Sequence, residues 1–157
     1  MFRTIRRFFE YIGAVIAYAK FLWNNYHDWD YGFFLCLIKF KLQRMERFFR
    51  SKHAWGVRSE ATADEIKKAI DMADFLLVGE FMENEYDAYE IKWGSLEIEK
   101  GSNEIFNCRR PNIRTSKDKE QAAREYQDIA RREQEAVSQA YKDLFIYIAK
   151  HIEDWWD

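Results

Sequence analysis

Proline is almost missing from this 157-residue chain, which contains one Pro and six Gly. With so few breakers the backbone favours long helices over a sheet with many tight turns. Cysteine is equally scarce. Cys36 and Cys108 have no C-x-x-C spacing, which excludes a disulfide framework and indicates free thiols in a reducing compartment. The three histidines, at positions 27, 53 and 151, form no metal-ligand spacing. No G-x-x-x-x-G-K, G-x-G-x-x-G or H-E-x-x-H motif occurs, so phosphate-loop, dinucleotide and zinc-hydrolase chemistries lack their starting residues. The sequence therefore indicates no cofactor, no metal and no catalytic residue. Long apolar runs are absent too. The longest, Tyr11 to Ala19, is interrupted by Glu10 and Lys20 and is too short to span a bilayer.

What the chain has in excess is aromatic side chains, at 18% of residues, with 13 Phe, 9 Tyr and 6 Trp. At this length one domain can bury most of them without metals or disulfides. Their spacing is helical. Phe2, Ile5, Phe9, Ile12, Ile16, Ala19 and Trp23 fall on one stripe, widened by Phe8, Val15 and Leu22, which predicts an amphipathic helix over 2–23. A core helix is the leading reading, with an interfacial membrane helix and a cleaved leader as alternatives, because Arg3, Arg6 and Arg7 precede the apolar middle. Tyr31, Leu35, Ile38, Leu42, Met45 and Phe49 predict a central helix over 29–50, with Asp28 or Asp30 as its cap.

Thr62-Ala63-Asp64-Glu65 has the spacing of a capping box, so the next helix is expected from 62 or 63 with Ile66, Ile70, Ala73 and Leu77 inward. Gly79 is a break. Met82, Tyr86, Tyr89 and Trp93 then resume helical spacing and Gly94 stands as the cap, giving a helical hairpin or kinked helix over 62–93. Leu96 to Glu99 alternates, Lys100-Gly101-Ser102-Asn103 is turn chemistry, and Ile105 to Arg109 returns, so 95–114 reads as hairpin and loop. Past Pro111, the run Thr115-Ser116-Lys117-Asp118 opens a long helix over 116–156. Its first half is mostly charged. Its second half carries Val137, Tyr141, Leu144, Phe145, Ile148, Ile152 and Trp155 on a broad apolar face. The first half is expected in solvent or against a second subunit, which makes a homo-oligomer the economical arrangement. The fold class is mainly α, a helical bundle with a long C-terminal helix and a small β-hairpin, in one domain over 1–157.

Charge is unevenly spread. Residues 1–58 carry a net +7, residues 59–108 a net −9, and residues 109–157 cancel. The basic and acidic thirds either lie against each other or form two solvated faces. Two basic clusters are candidates for gripping phosphate: Arg109, Arg110 and Arg114 around Pro111, and Lys41, Arg44 and Arg47 on the central helix. Trp93 and Trp156 are candidates for stacking on a base. Extended nucleic acid is disfavoured by the overall charge of −2. The densest ligand-like cluster, Tyr26-His27-Asp28-Trp29-Asp30, could meet His151 and Asp154, but capping explains its aspartates more simply.

Several runs look familiar: Asp28-Trp29-Asp30-Tyr31, Phe40-Lys41-Leu42-Gln43-Arg44-Met45, Glu85-Tyr86-Asp87-Ala88-Tyr89 leading to Trp93-Gly94, and His151 to Asp157. Together they resemble a group of small, uncharacterised proteins of tailed bacteriophages, in pieces over residues 28 to 157. That group brings no activity and no site residues. The resemblance implies a non-enzymatic accessory protein of the host cytoplasm, with counter-defence by sequestering a small phosphorylated or nucleotide signal as the sharpest expectation. A protein-binding inhibitor acting on a host or phage protein, or peripheral membrane attachment through 2–23, are the alternatives.

Overall fold

A computed structural model describes residues 2–25, 31–51, 59–100 and 106–155. The elements run α1 (Phe2–Asn24), α2 (Tyr31–Phe49), α3 (Ser59–Val78), α4 (Glu83–Trp93), β1 (Glu97–Lys100), β2 (Phe106–Arg109) and α5 (Ser116–His151). The chain is mainly α, with a long C-terminal helix and one small antiparallel hairpin, as the shortage of breakers implies. It divides into two compact units, Met1–Ala73 and Asp74–Asp157. Asp28, Asp30, His27, His53 and Trp156 lie outside the described residues, as does the hairpin turn at 101–105.

In the first unit, α2 keeps the stripe its spacing predicts: Leu35 and Leu42 are buried, and Ile38, Met45 and Phe49 are half-buried. Against it α1 contributes Tyr18 and Phe21. Phe21 stacks on Phe40 at 4.5 Å between centroids, and Tyr18 meets Phe40 edge-on at 5.1 Å. This face of α1, which also holds half-buried Ala14 and Ala17, is not the stripe read from the sequence. Ile12, Val15, Ile16, Leu22 and Trp23 are exposed instead. The physical reason is that two adjacent faces of α1 are both apolar, and ring-on-ring contact with Phe40 and Phe33 selects the one carrying Tyr18 and Phe21.

Helix α3 begins by Ser59, three residues before the expected start, so Thr62 is a buried residue inside the helix and not its cap. Ala63, Ile66, Ala69, Ile70, Ala73 and Leu76 form its buried side. It stops at Val78 because Gly79 takes φ +74°, a left-handed conformation that ends the helix. Arg50 joins Asp64 at 2.9 Å, an ion pair between the basic and acidic thirds.

In the second unit the capping box is at Thr115. Its hydroxyl accepts from the Asp118 N–H at 3.1 Å, and the Asp118 carboxylate accepts from the Thr115 N–H at 2.8 Å. These bonds, with one from the Arg114 N–H, hold the Asp118 carboxyl below its ordinary range. Helix α5 then runs 36 residues, about 54 Å at 1.5 Å per residue. Leu144 of its apolar half is buried, and the helix ends at His151, short of the expected 156, so the buried Trp155 lies in the turn that follows. Its charged half does not stand free, contrary to the sequence expectation, because α4 packs along it through Tyr89, Trp93, Ala122 and Ile129. β1 and β2 pair antiparallel with Ile98 opposite Cys108.

Candidate functional site

The α4–α5 contact is built from aromatic side chains that each present a polar tip. On α4, Tyr86, Tyr89 and Trp93 recur at spacings of three and four, and all three turn towards α5. On α5 the facing positions are Ala122, Glu125, Tyr126, Ile129 and Glu133. Small and branched apolar residues admit the rings, while the two glutamates receive their polar tips. Trp93 Nε1–H donates to Glu125 at 2.8 Å, Tyr86 Oη–H donates to Glu133 at 2.7 Å, and Tyr89 Oη–H donates to the Ala122 carbonyl at 3.2 Å. The Tyr126 ring sits 5.9 Å from that of Tyr86 and 5.7 Å from that of Tyr89. Ordered side chains of this kind lose little entropy per hydrogen bond, which makes the contact rigid.

Titration follows from these bonds. The Glu125 carboxyl is held at about 2, against an ordinary 4.5, by hydrogen bonds from Lys92, Trp93 and Gln121. The Tyr86 hydroxyl is pushed up to about 12 by its bond to Glu133, aided by burial. For Glu125 the folded value lies below the unfolded one, so its stabilisation is fully present above pH 4.5 and is lost as pH falls towards 2. Urea midpoints are expected to fall across this window, with a shallower fall in Glu125→Gln. Equal slopes for the two proteins would show that Glu125 does not carry the effect.

Beside this contact lies an open groove of about 470 Å³, lined by Glu85, Ala88, Tyr89, Lys92, Arg124, Glu125, Asp128, Ile129 and Arg132. Tyr89, Ala88 and Ile129 supply the apolar part. Three cations and three carboxylates stand around it, each sign paired locally: Lys92 with Glu125 at 2.6 Å, Arg124 with Glu120 at 2.6 Å, and Arg132 with Asp128 at 3.3 Å and Glu85 at 3.9 Å. Lys92 also lies over the Trp93 ring at 4.8 Å. The side chains in these pairs are largely solvent-facing, so they exchange readily for an incoming charged group.

Among the described residues, none of the sequence-predicted site residues lines this groove. Arg109 pairs with Glu97 and Glu99 across the hairpin at 2.9 and 3.0 Å. Arg110 is half-buried, donates to the Gly94 carbonyl at 2.6 Å and lies 4.8 Å over the Tyr89 ring. It is a structural clamp between the hairpin base and α4, and a phosphate would have to displace it. Arg114 is exposed in the segment before α5. Trp93 is buried at 6% exposure, so its ring offers no stacking face; Trp156 lies outside the described residues. In the first unit, Arg44 lies 5.4 Å over the Tyr18 ring and 5.9 Å over that of Phe40, Arg47 donates to the Gln43 carbonyl at 3.1 Å, and Lys41 is exposed. The groove cations Arg124 and Arg132 escaped sequence reading because their neighbours alternate in sign. The available signal was the spacing of four through Arg124, Asp128 and Arg132, which places them on one line of α5.

In this unit four carboxylates of the acidic third pair with cations of the last third: Glu85 with Arg132, Glu90 with Arg110, and Glu97 and Glu99 with Arg109. Among the described residues no group of three His, Cys, Asp or Glu side chains is arranged to hold a metal ion. Fold and site together define a mainly α protein with an aromatic-locked helix pair and a shallow groove of mixed charge. No family profile, curated protein or solved structure matches this chain.

Proposed function

We propose that the protein acts by binding, as an interaction module whose α4–α5 groove receives a segment of a protein partner. The observation that carries this reading is the groove itself: an apolar strip of Ala88, Tyr89 and Ile129 between rows of both charges. A helix or extended peptide with its own alternating charges meets such a surface better than a polyanion does, because three carboxylates face any phosphate that enters. The resemblance to tailed-phage proteins makes a host or phage protein the source of that segment, and inhibition the mode of action.

Capture of a small phosphorylated or nucleotide ligand is the second reading. It is supported by Lys92, Arg124 and Arg132 along one groove, whose exposed ion pairs cost little to break. Ala88→Trp separates the two from non-specific association, because Ala88 is exposed and the larger ring fills the groove without entering the core. A protein recovered from host lysate by the wild type and lost with Ala88→Trp supports the module. Equal recovery by both proteins overturns the groove as the docking surface. Heat of binding and a raised melting temperature with cyclic oligonucleotides or ADP-ribose derivatives, abolished in Arg124→Glu, would favour the small ligand instead.

A further inference from the structure

Helix α1 presents an apolar face that no other described element of the first unit covers. Tyr11, Ile12, Val15, Ile16, Leu22 and Trp23 are 72, 39, 66, 60, 46 and 85% exposed. On a helix of 100° per residue they fall within an arc of about 140°, while Ala14, Ala17, Tyr18 and Phe21 occupy the side turned towards α2. Scattered single apolar side chains need no explanation, but six on one contiguous face mark an interaction surface.

Charge identifies what this face meets. α1 carries four Lys/Arg against one Glu, and α2 also carries four against one. From Tyr11 to Asn25 there is no carboxylate at all, and Lys20 is exposed just beyond the edge of the apolar arc. Burial of this face between two copies of the chain would place Lys20 of each at the rim with no carboxylate between residues 11 and 25 to receive it, which like-charge repulsion opposes. An anionic lipid surface accepts both features, since the apolar side chains enter the acyl boundary and Lys20, at the edge of the arc, remains among the headgroups with no carboxylate beside it from Tyr11 to Asn25. Trp23, at the end of the helix, suits the headgroup level, where one face of the indole is apolar and its N–H stays wet. No helix among the described residues is long and apolar enough to cross a membrane, so the geometry is one of lying on the surface.

We infer that α1 is an interfacial helix that docks the protein on an anionic membrane surface through its exposed apolar face. This goes beyond the α4–α5 groove and does not depend on it. The test is co-sedimentation of the full chain with phosphatidylcholine vesicles and with vesicles containing phosphatidylglycerol, at low and high salt. Binding is expected to the anionic vesicles, weakened by salt and reduced at least about tenfold by Ile16→Asp, with Val15→Ser giving a smaller loss in the same direction. Both positions are exposed, so helical circular dichroism should match the wild type; if Ile16→Asp alone loses it, Val15→Ser carries the comparison. Absence of binding to anionic vesicles overturns the inference, as does binding that neither substitution alters. A wild-type dimer that Ile16→Asp converts to monomer, with no vesicle binding, assigns the face to a second copy and overturns it equally.

Discussion

Trp93→Ala is expected to lower the stability of the second unit by about 3–5 kcal/mol, the range for removing a large buried ring. Trp93 is 6% exposed and packs with Tyr89, Ala122 and Ile129, so truncation leaves a cavity between α4 and α5 that two helices tied at several points cannot close. It also removes the N–H that Glu125 accepts and the ring over which Lys92 lies. The two losses are separable. Trp93→Phe keeps most of the packing and loses the hydrogen bond, so its cost should be about 1–3 kcal/mol, as for a bond to a charged acceptor. Urea denaturation measures both, and amide exchange across α4 should accelerate in the Ala variant. A midpoint unchanged by Trp93→Ala would mean that α4 does not rest on α5.

Gly94→Ala is expected to cost about 3 kcal/mol or more, although it adds a single methyl group. Gly94 has φ +84° and ψ 153°, a region almost restricted to glycine, which by itself costs about 1–3 kcal/mol for any other residue. Space is the second obstacle. A Cβ there would lie 2.5 Å from Pro111 Cγ and 2.6 Å from its Cδ, and a proline ring has no rotamer by which to withdraw. The Gly94 carbonyl meanwhile receives Arg110, and the Trp93 carbonyl receives the Asn112 N–H at 3.2 Å, so the chain cannot shift away without breaking the hairpin base. Pro111→Ala removes the obstructing ring atoms, so the double variant should recover part of the loss and leave the backbone strain. If Gly94→Ala melted like the wild type, the close approach to Pro111 would be wrong.

These two residues illustrate how the local signals divide. Gly94 as a helix end was readable because Tyr86, Tyr89 and Trp93 keep helical spacing and stop there. Its contact with Pro111 was not, since the two are 17 positions apart and a hairpin intervenes. Thr62-Ala63-Asp64-Glu65 and Thr115-Ser116-Lys117-Asp118 have the same pattern of side chains, yet only Thr115 caps. At Thr62 the helix has already begun by Ser59, and the residue is buried on the packed side beside Ala63 and Ile66. The arginine loop showed a similar ambiguity. Arg109, Arg110 and Arg114 were legible as cations, and their engagement with Glu97, Glu99, Gly94 and Tyr89 depended on how the hairpin returns to α4.

What the sequence by itself determined is the set of elements. One proline, six glycines and apolar residues at spacings of three and four specify long helices, an alternating pair of short segments specifies the hairpin, and both follow from interactions within a few residues along the chain. Which faces those helices use was decided only by tertiary structure. α1 has two apolar faces, and contact with the rings of α2 buries the one holding Tyr18 and Phe21, leaving the stripe with Ile16 and Trp23 exposed. The first half of α5 reads as solvated because its short apolar line, Ala122, Tyr126 and Ile129, is set among charged residues, and the same side carries Glu125 and Glu133, which accept hydrogen bonds from Trp93 and Tyr86. Polar atoms count as surface in a sequence and become part of a helix contact once a partner donates to them, which is a property of pairs distant in the chain.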